Sequence, residues 1–247
     1  LMDREKIMRY LEECKEDIIR DVMDFISIPS ISNDLKEVGR ALDYALELGQ
    51  RLGFSARSVL DGQVGIIEAG DGPETLGILS HVDVVPPGNI DAWRTPPFEP
   101  VVKDSALWGR GSLDDKGAIV ACLYALNAVM ELGIPFKKKV QMVLGTQEEV
   151  DWTDMQAYVE EFPLPDYGFT PDGEFPLCNI EKGVMDLELV FPLDESKEEG
   201  LFLIALNGGS AANIVPDQCS ATLLRRMVRE DGTFWEETIL LTGEGLS

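Results

Sequence analysis

The sequence predicts an α/β fold, and three observations carry that expectation. Segments with helical apolar spacing alternate with short apolar runs of strand length, which is the pattern of helices packed on a largely parallel sheet. Those runs end abruptly in polar, often acidic residues, as strands do where they leave a sheet toward a ligand. The chain is 247 residues long and 45% hydrophobic, enough to bury a sizeable core in one large domain or two.

The elements follow in order. From about Asp3 to Ile28, Ile7, Leu11, Ile18, Ile19, Val22 and Phe25 form one helical stripe that Pro29 stops. A second helix from about Leu35 to Leu52 carries Val38, Leu42, Ala45, Leu46 and Leu48, with Gly53 as its C-terminal cap. Strands are predicted over about Phe54–Leu60 and Val64–Ala69, joined at Asp61-Gly62. Thr75–Leu79 is a buried strand that delivers Ser80-His81-Val82-Asp83, and His81 is the only histidine in the chain. Pro86-Pro87-Gly88 and the cluster from Trp93 to Phe98 read as a rigid loop. In Gly109-Arg110-Gly111-Ser112-Leu113-Asp114-Asp115-Lys116-Gly117, glycines open an unusual backbone path and two carboxylates precede a helix running to Leu132. Either Asp could cap that helix. Lys139–Leu144 is the next strand, ending at Gln147-Glu148-Glu149; a helix over about Trp152–Phe162 and a short strand through Tyr167-Gly168-Phe169 then lead to Thr170-Pro171-Asp172.

His81, Asp114, Glu148, Glu149 and Asp172 therefore all fall at or just after strand ends. An imidazole followed two residues later by a carboxylate suits a metal ligand whose ring is fixed by a partner. Paired acids leaving a buried strand repel one another unless a cation or proton intervenes. Each loop alone would be a solvated polar turn; their convergence on one sheet edge favours a metal site. A net charge of -24 excludes nucleic acid and anionic membranes as partners and is compatible with cations. No apolar run reaches the ~18 residues that span a bilayer. Cys14, Cys122, Cys178 and Cys219 lack CxxC spacing and read as reduced, buried thiols of a cytoplasmic protein.

These four motifs, in this order and at these intervals over roughly residues 1 to 225, resemble the dinuclear zinc peptidases and deacylases that include aminoacylase, carnosinase and peptidase V. The Trp93–Phe98 cluster, the Asp-Asp-Lys-Gly form and Thr170-Pro171-Asp172-Gly173-Glu174-Phe175-Pro176 most resemble the peptidase V-like dipeptidases. The resemblance implies a zinc-exopeptidase-like three-layer sandwich with a mainly parallel mixed sheet, over residues 1–183, followed by the start of an α+β lid over 184–247. It implies that His81 and Asp172 hold one zinc, Asp114 bridges two, Glu149 holds the second, Asp83 orients His81, and Glu148 is the general base. It also implies a cis peptide between Asp114 and Asp115, and places Asn213 toward the substrate, although an Asn beside a turn otherwise caps backbone. The family's second zinc takes a further histidine that no residue after His81 supplies. The expectation is therefore an N-terminal fragment with a companion C-terminal part, two zinc ions at full length and one complete protein site here. The implied reaction is hydrolysis of small dipeptides; the alternatives are N-acyl amino acid deacylation and a noncatalytic metal-binding remnant.

Overall fold

The computed structural model describes residues 2–173, 177–180, 183, 185, 199–209 and 218–244. Two compact units divide the chain, Leu1–Ile180 and Glu181–Ser247.

The larger unit begins with α1 (Met2–Glu13), α2 (Lys15–Ile26) and α3 (Leu35–Arg51). The single helix expected before Pro29 is two, parted at Cys14, whose φ of −86° and ψ of 0° break the regular path. Asp34 caps α3 by accepting the Glu37 N–H at 3.2 Å, and Gly53 follows with φ +91°, the left-handed turn that favours glycine after a helix. The strands β1 (Ser55–Val59), β2 (Val64–Ala69) and β3 (Thr75–His81) come next. A hairpin without a counterpart in the sequence reading, β4 (Val101–Lys103) with β5 (Ala106–Trp108), precedes α4 (Lys116–Glu131). Its strands are three residues each, too short to show period-two alternation. The unit closes with β6 (Lys139–Gly145), α5 (Thr153–Glu161) and β7 (Tyr167–Phe169).

The main sheet has the order β1-β2-β6-β3-β7. β6 and β7 lie parallel on either side of β3, while β2 runs antiparallel to both β6 and β1. Side chains alternate across this sheet as the pleat requires. Ile67, Ala69, Ile78, Val140, Met142 and Leu144 join the large core beneath α2, α3 and α4, whereas Val64, Ile66 and Val143 meet Tyr158 of α5 on the other face. Helices thus cover both faces, and the parallel strands β3, β6 and β7 end on one edge. Asp21 and Lys116 tie the helical layer together. Buried Asp21 accepts hydrogen bonds from Arg51 of α3 (2.8 Å) and Tyr124 of α4 (2.7 Å). The fully buried Lys116 donates to the Ile28 carbonyl at 2.6 Å and the Phe25 carbonyl at 3.2 Å, fixing the start of α4 against the turn after α2.

The smaller unit contains an antiparallel sheet, β8 (Gly200–Gly208), β9 (Gln218–Val228) and β10 (Phe234–Glu244), ordered β10-β9-β8. Among the described residues, no helix is long and apolar enough to cross a membrane. The expectation of four buried thiols needs correction. Cys14 and Cys122 are partly buried, but Cys178 and Cys219 are exposed, Cys219 at the start of a strand of the smaller unit; all four are free thiols.

Candidate metal centre

Three of the loops leaving the main sheet edge meet at the imidazole of His81, the last residue of β3. The residue is 2% exposed, so its ring nitrogens must find partners within the protein. Nδ1 lies 3.0 Å from the Asp83 carbonyl oxygen and 3.3 Å from the Asp83 carboxylate. Nε2 faces acids: Asp114 Oδ1 at 3.0 Å, Asp172 Oδ2 at 3.3 Å and Glu148 Oε2 at 4.0 Å. None of these contacts has the alignment of a hydrogen bond, which leaves Nε2 buried without a partner among the described residues.

Among the described residues, two overlapping sets of ligand atoms lie within 4.8 Å of one another: His81, Asp114 and Glu149, and His81, Glu148 and Asp172. An unpartnered imidazole nitrogen amid carboxylate oxygens is a donor set that fits a divalent cation, because it supplies both neutral and anionic ligands where no hydrogen-bonding group completes the shell. The electrostatics say the same. Burial works against protonation of His81, but Asp114, Asp172 and Asp83 outweigh it and raise the imidazole's pKa. Burial, then the charges of Asp114, Glu148 and Asp83, push the Glu149 carboxyl up to about 7 against the pull of His81. Glu148 is also raised, by burial first and then by Asp172, Asp83 and Asp114. A positive charge at the centre relieves all three.

Each acid is delivered by a distinct local device. Asp114 precedes α4 across a cis Asp114–Asp115 peptide, as the resemblance implied. Gly111 with φ +88° and Gly117, where a Cβ would stand 2.0 Å from the Ser112 carbonyl oxygen, allow the tight path around it. Asp115 occupies the N-cap position but makes no side-chain cap; its fully buried carboxylate instead accepts the His81 backbone N–H at 3.2 Å. Burial, aided by the Asp172 charge, raises that carboxyl to about 7. Asp172 sits in the turn after β7, its own N–H bonded to Thr170 Oγ1 at 3.2 Å.

Glu148 and Glu149 lie past the end of β6, in a turn, so strand alternation does not separate them. Asp83 does so. It is wholly buried and accepts the Glu148 N–H on Oδ1 and the Glu149 N–H on Oδ2, both at 3.2 Å. Burial disfavours its charge, yet His81 and these bonds hold its carboxyl below the usual range. The sequence reading gave Asp83 one task at the imidazole and missed this second one, since a bond to a backbone N–H leaves no trace in residue type. Trp93 is anchored by its indole N–H on the Pro87 carbonyl at 2.7 Å and carries the Arg110 guanidinium 5.0 Å over its ring. Asn213 lies outside the described residues.

Known proteins share much of this sequence and fold. The model for Peptidase family M20/M25/M40 matches residues 77–204, just over half of the chain and the stretch that holds His81, Asp114, Glu148, Glu149 and Asp172. "Putative dipeptidase YtjP" of Bacillus subtilis is 38% identical over 219 residues, 85% of this chain and 47% of that protein. "Putative dipeptidase SAB1611c" of Staphylococcus aureus is 40% identical over 234 residues, 90% of this chain and 48% of that one. The chain thus spans about half the length of the curated relatives it matches. Human carnosine dipeptidase 1 superposes with a TM-score of 0.62 at 26% identity, over 68% of this chain and 41% of that chain. The M20 family metallo-carboxypeptidase Sso-CP2 from Sulfolobus solfataricus shares the fold, with a TM-score of 0.59 at 21% identity over 75% of this chain and 40% of that chain. With the motif-bearing half matched and the fold shared, the chain belongs to Peptidase family M20/M25/M40.

Proposed function

We propose that this chain carries the metal-binding part of a zinc-dependent dipeptidase, with a Glu general base, and that residues from about 184 onward begin its lid. The observation that carries the reading is the buried, unpartnered Nε2 of His81, surrounded by carboxylates from three separate loops. His81, Asp114 and Asp172 would hold one ion, with Asp114 and Glu149 offering ligands to a second. Such ions supply charge stabilisation at the scissile carbonyl and lower the pKa of water toward ~7.

The protein's own groups divide the remaining work. Glu148 stands 4.0 Å from Nε2, farther than Asp114 or Asp172, and is free to handle a proton rather than complete the shell. Its raised pKa suits a base that accepts a proton from water and delivers it to the departing amine. Asp83 keeps the imidazole oriented and its second nitrogen directed at the acids. The relatives' names point to dipeptides as substrates, and the free thiols suit a cytoplasmic setting.

The test is dipeptide hydrolysis by the metal-loaded protein and by Glu148→Gln. The variant is expected to lose activity by about 10²–10⁴-fold while binding as much zinc as the wild type. A variant that hydrolyses dipeptides at the wild-type rate, or that loses its zinc, would remove Glu148 from the role of base. Turnover of N-acetyl amino acids in preference to dipeptides would assign the centre to deacylation.

A further inference from the structure

Every backbone N–H from Thr146 to Glu149 ends on a buried carboxylate. Asp83 takes the last two. The first two belong to Asp154, whose Oδ2 accepts the Thr146 N–H at 2.6 Å and the Gln147 N–H at 3.2 Å. Asp154 lies in the first turn of α5, is wholly buried, and also accepts the Met155 N–H on Oδ1 at 2.7 Å. A charge-assisted bond of this kind is stronger than a neutral one, and three together offset the cost of burying a carboxylate.

The surroundings are shaped for that carboxylate. A Cβ at Gly145 would stand 3.0 Å from Asp154 Oδ2, so the strand end passes this close only because glycine is there. Trp152, just before α5, adopts a left-handed conformation with φ 52°, and its indole N–H reaches back to the Glu148 carbonyl at 2.6 Å. The main chain that presents Glu148 and Glu149 is therefore held from β3 by one carboxylate and from α5 by another.

We propose that Asp154 is a positioning residue for Glu148 and Glu149: it fixes the main chain at Thr146 and Gln147 so that the two glutamates divide between the Asp172 and Asp114 sides of His81. The inference rests on the reading of this cluster as a metal centre. The hydrogen bonds of Asp154 go to main-chain N–H groups and not to the candidate ligand atoms. In an Asp154→Asn variant, either Met155 or the Thr146–Gln147 pair faces an amide NH₂ group in place of an acceptor, and the turn relaxes.

The experiment titrates zinc into the 247-residue chain against a chromophoric chelator, and records the visible spectrum of the cobalt(II)-loaded protein. Asp154→Asn is expected to weaken zinc binding by about 10–100-fold, the usual effect of losing an outer partner of a ligand, and to alter the cobalt spectrum. Asp21→Asn is the control, because it removes a buried carboxylate from the helical layer, and it should lower thermal stability while leaving the zinc affinity of the folded protein unchanged. Gly145→Ala crowds the same Asp154 carboxylate, whose Oδ2 must give by a few tenths of an ångström, and should weaken zinc binding in the same direction; it serves as the second variant if Asp154→Asn does not fold, and an unchanged affinity there overturns the proposal. A folded Asp154→Asn with affinity within twofold of wild type and an unchanged spectrum overturns the proposal, as does an equal loss in Asp21→Asn. Failure of the wild type to bind zinc would refute the metal reading instead. The hold of Asp154 on the turn would then be read from amide exchange at residues 146–149, where Asp154→Asn should accelerate exchange at least tenfold and no change overturns it.

Discussion

Stripping divalent metal from the protein should reverse the usual gain in stability between pH 5 and pH 7. The wholly buried Asp115 and the half-buried Glu149 each hold a carboxyl raised to about 7, while in the unfolded chain such groups titrate near ~4. Over this window the folded state keeps protons that the unfolded state has released, so stability falls as pH rises, by at most ~1.36 kcal/mol per group per pH unit. Two pH units give up to about 2.7 kcal/mol for Asp115, and counting Glu149 at half for its partial exposure brings the total to roughly 4 kcal/mol. The depressed acids act with the opposite sign but are finished before the window opens. Glu68, held at about 2 by Lys139, Arg57 and Gln141 against the penalty of burial, and Asp83 deliver their stabilisation below ~pH 5. Raised His81 adds to the loss above ~pH 6.5, and Lys116, lowered to about 7 by burial, opposes it mainly above pH 7. Thermal melts followed by circular dichroism on chelator-treated protein should therefore drop by on the order of 10 °C from pH 5 to pH 7. Saturating zinc should abolish the drop, because the cation replaces the protons. A metal-free melting temperature that stays level or climbs across this range would refute the electrostatic account of the cluster.

Two further outcomes follow from the same geometry. Zinc binding near pH 6.5 should release between one and two protons, drawn from His81 and Glu149, and affinity should rise with pH; calorimetry in buffers of different ionisation enthalpy measures this, and zero release would contradict it. Asp83→Asn leaves one of the Glu148 and Glu149 N–H groups facing an amide donor, and urea unfolding should show a loss of about 1–3 kcal/mol, whereas an unchanged midpoint would mean that those bonds contribute nothing.

The sequence made most of the larger unit legible because its elements are amphipathic in regular ways. α3 announces itself through a period of 3.6 and the strands β2 and β6 through short apolar runs, and the observed bounds fall within a residue or two of those read from pattern. The ligand candidates were legible for a different reason: His81, Glu148, Glu149 and Asp172 follow the ends of apolar runs, while Asp114 stands in the glycine-rich turn before α4, and all belong to motifs in a recognisable order. What stayed hidden is what main-chain geometry decides. The break at Cys14 has no proline or glycine to mark it, and the β4–β5 hairpin is too short for a periodic signal. Asp154 has the sequence signature of an ordinary helix start, and only its burial and the three N–H groups it accepts distinguish it. Asp115 was legible as a cap, and the fold uses it elsewhere, on the His81 backbone.

The position of β6 has a consequence for how the protein is made. It slots between β2 and β3 in the sheet, yet in the chain it follows both, after the long excursion through the hairpin and α4. Until β6 is in place, the facing edges of β2, with Val64, Ile66 and Ile67, and of β3, with Leu76, Ile78 and Leu79, have no partner, the exposure that invites a stray strand from another chain. The one late strand closes both facing edges, and the glutamates that trail it lie beside the imidazole in the completed sheet.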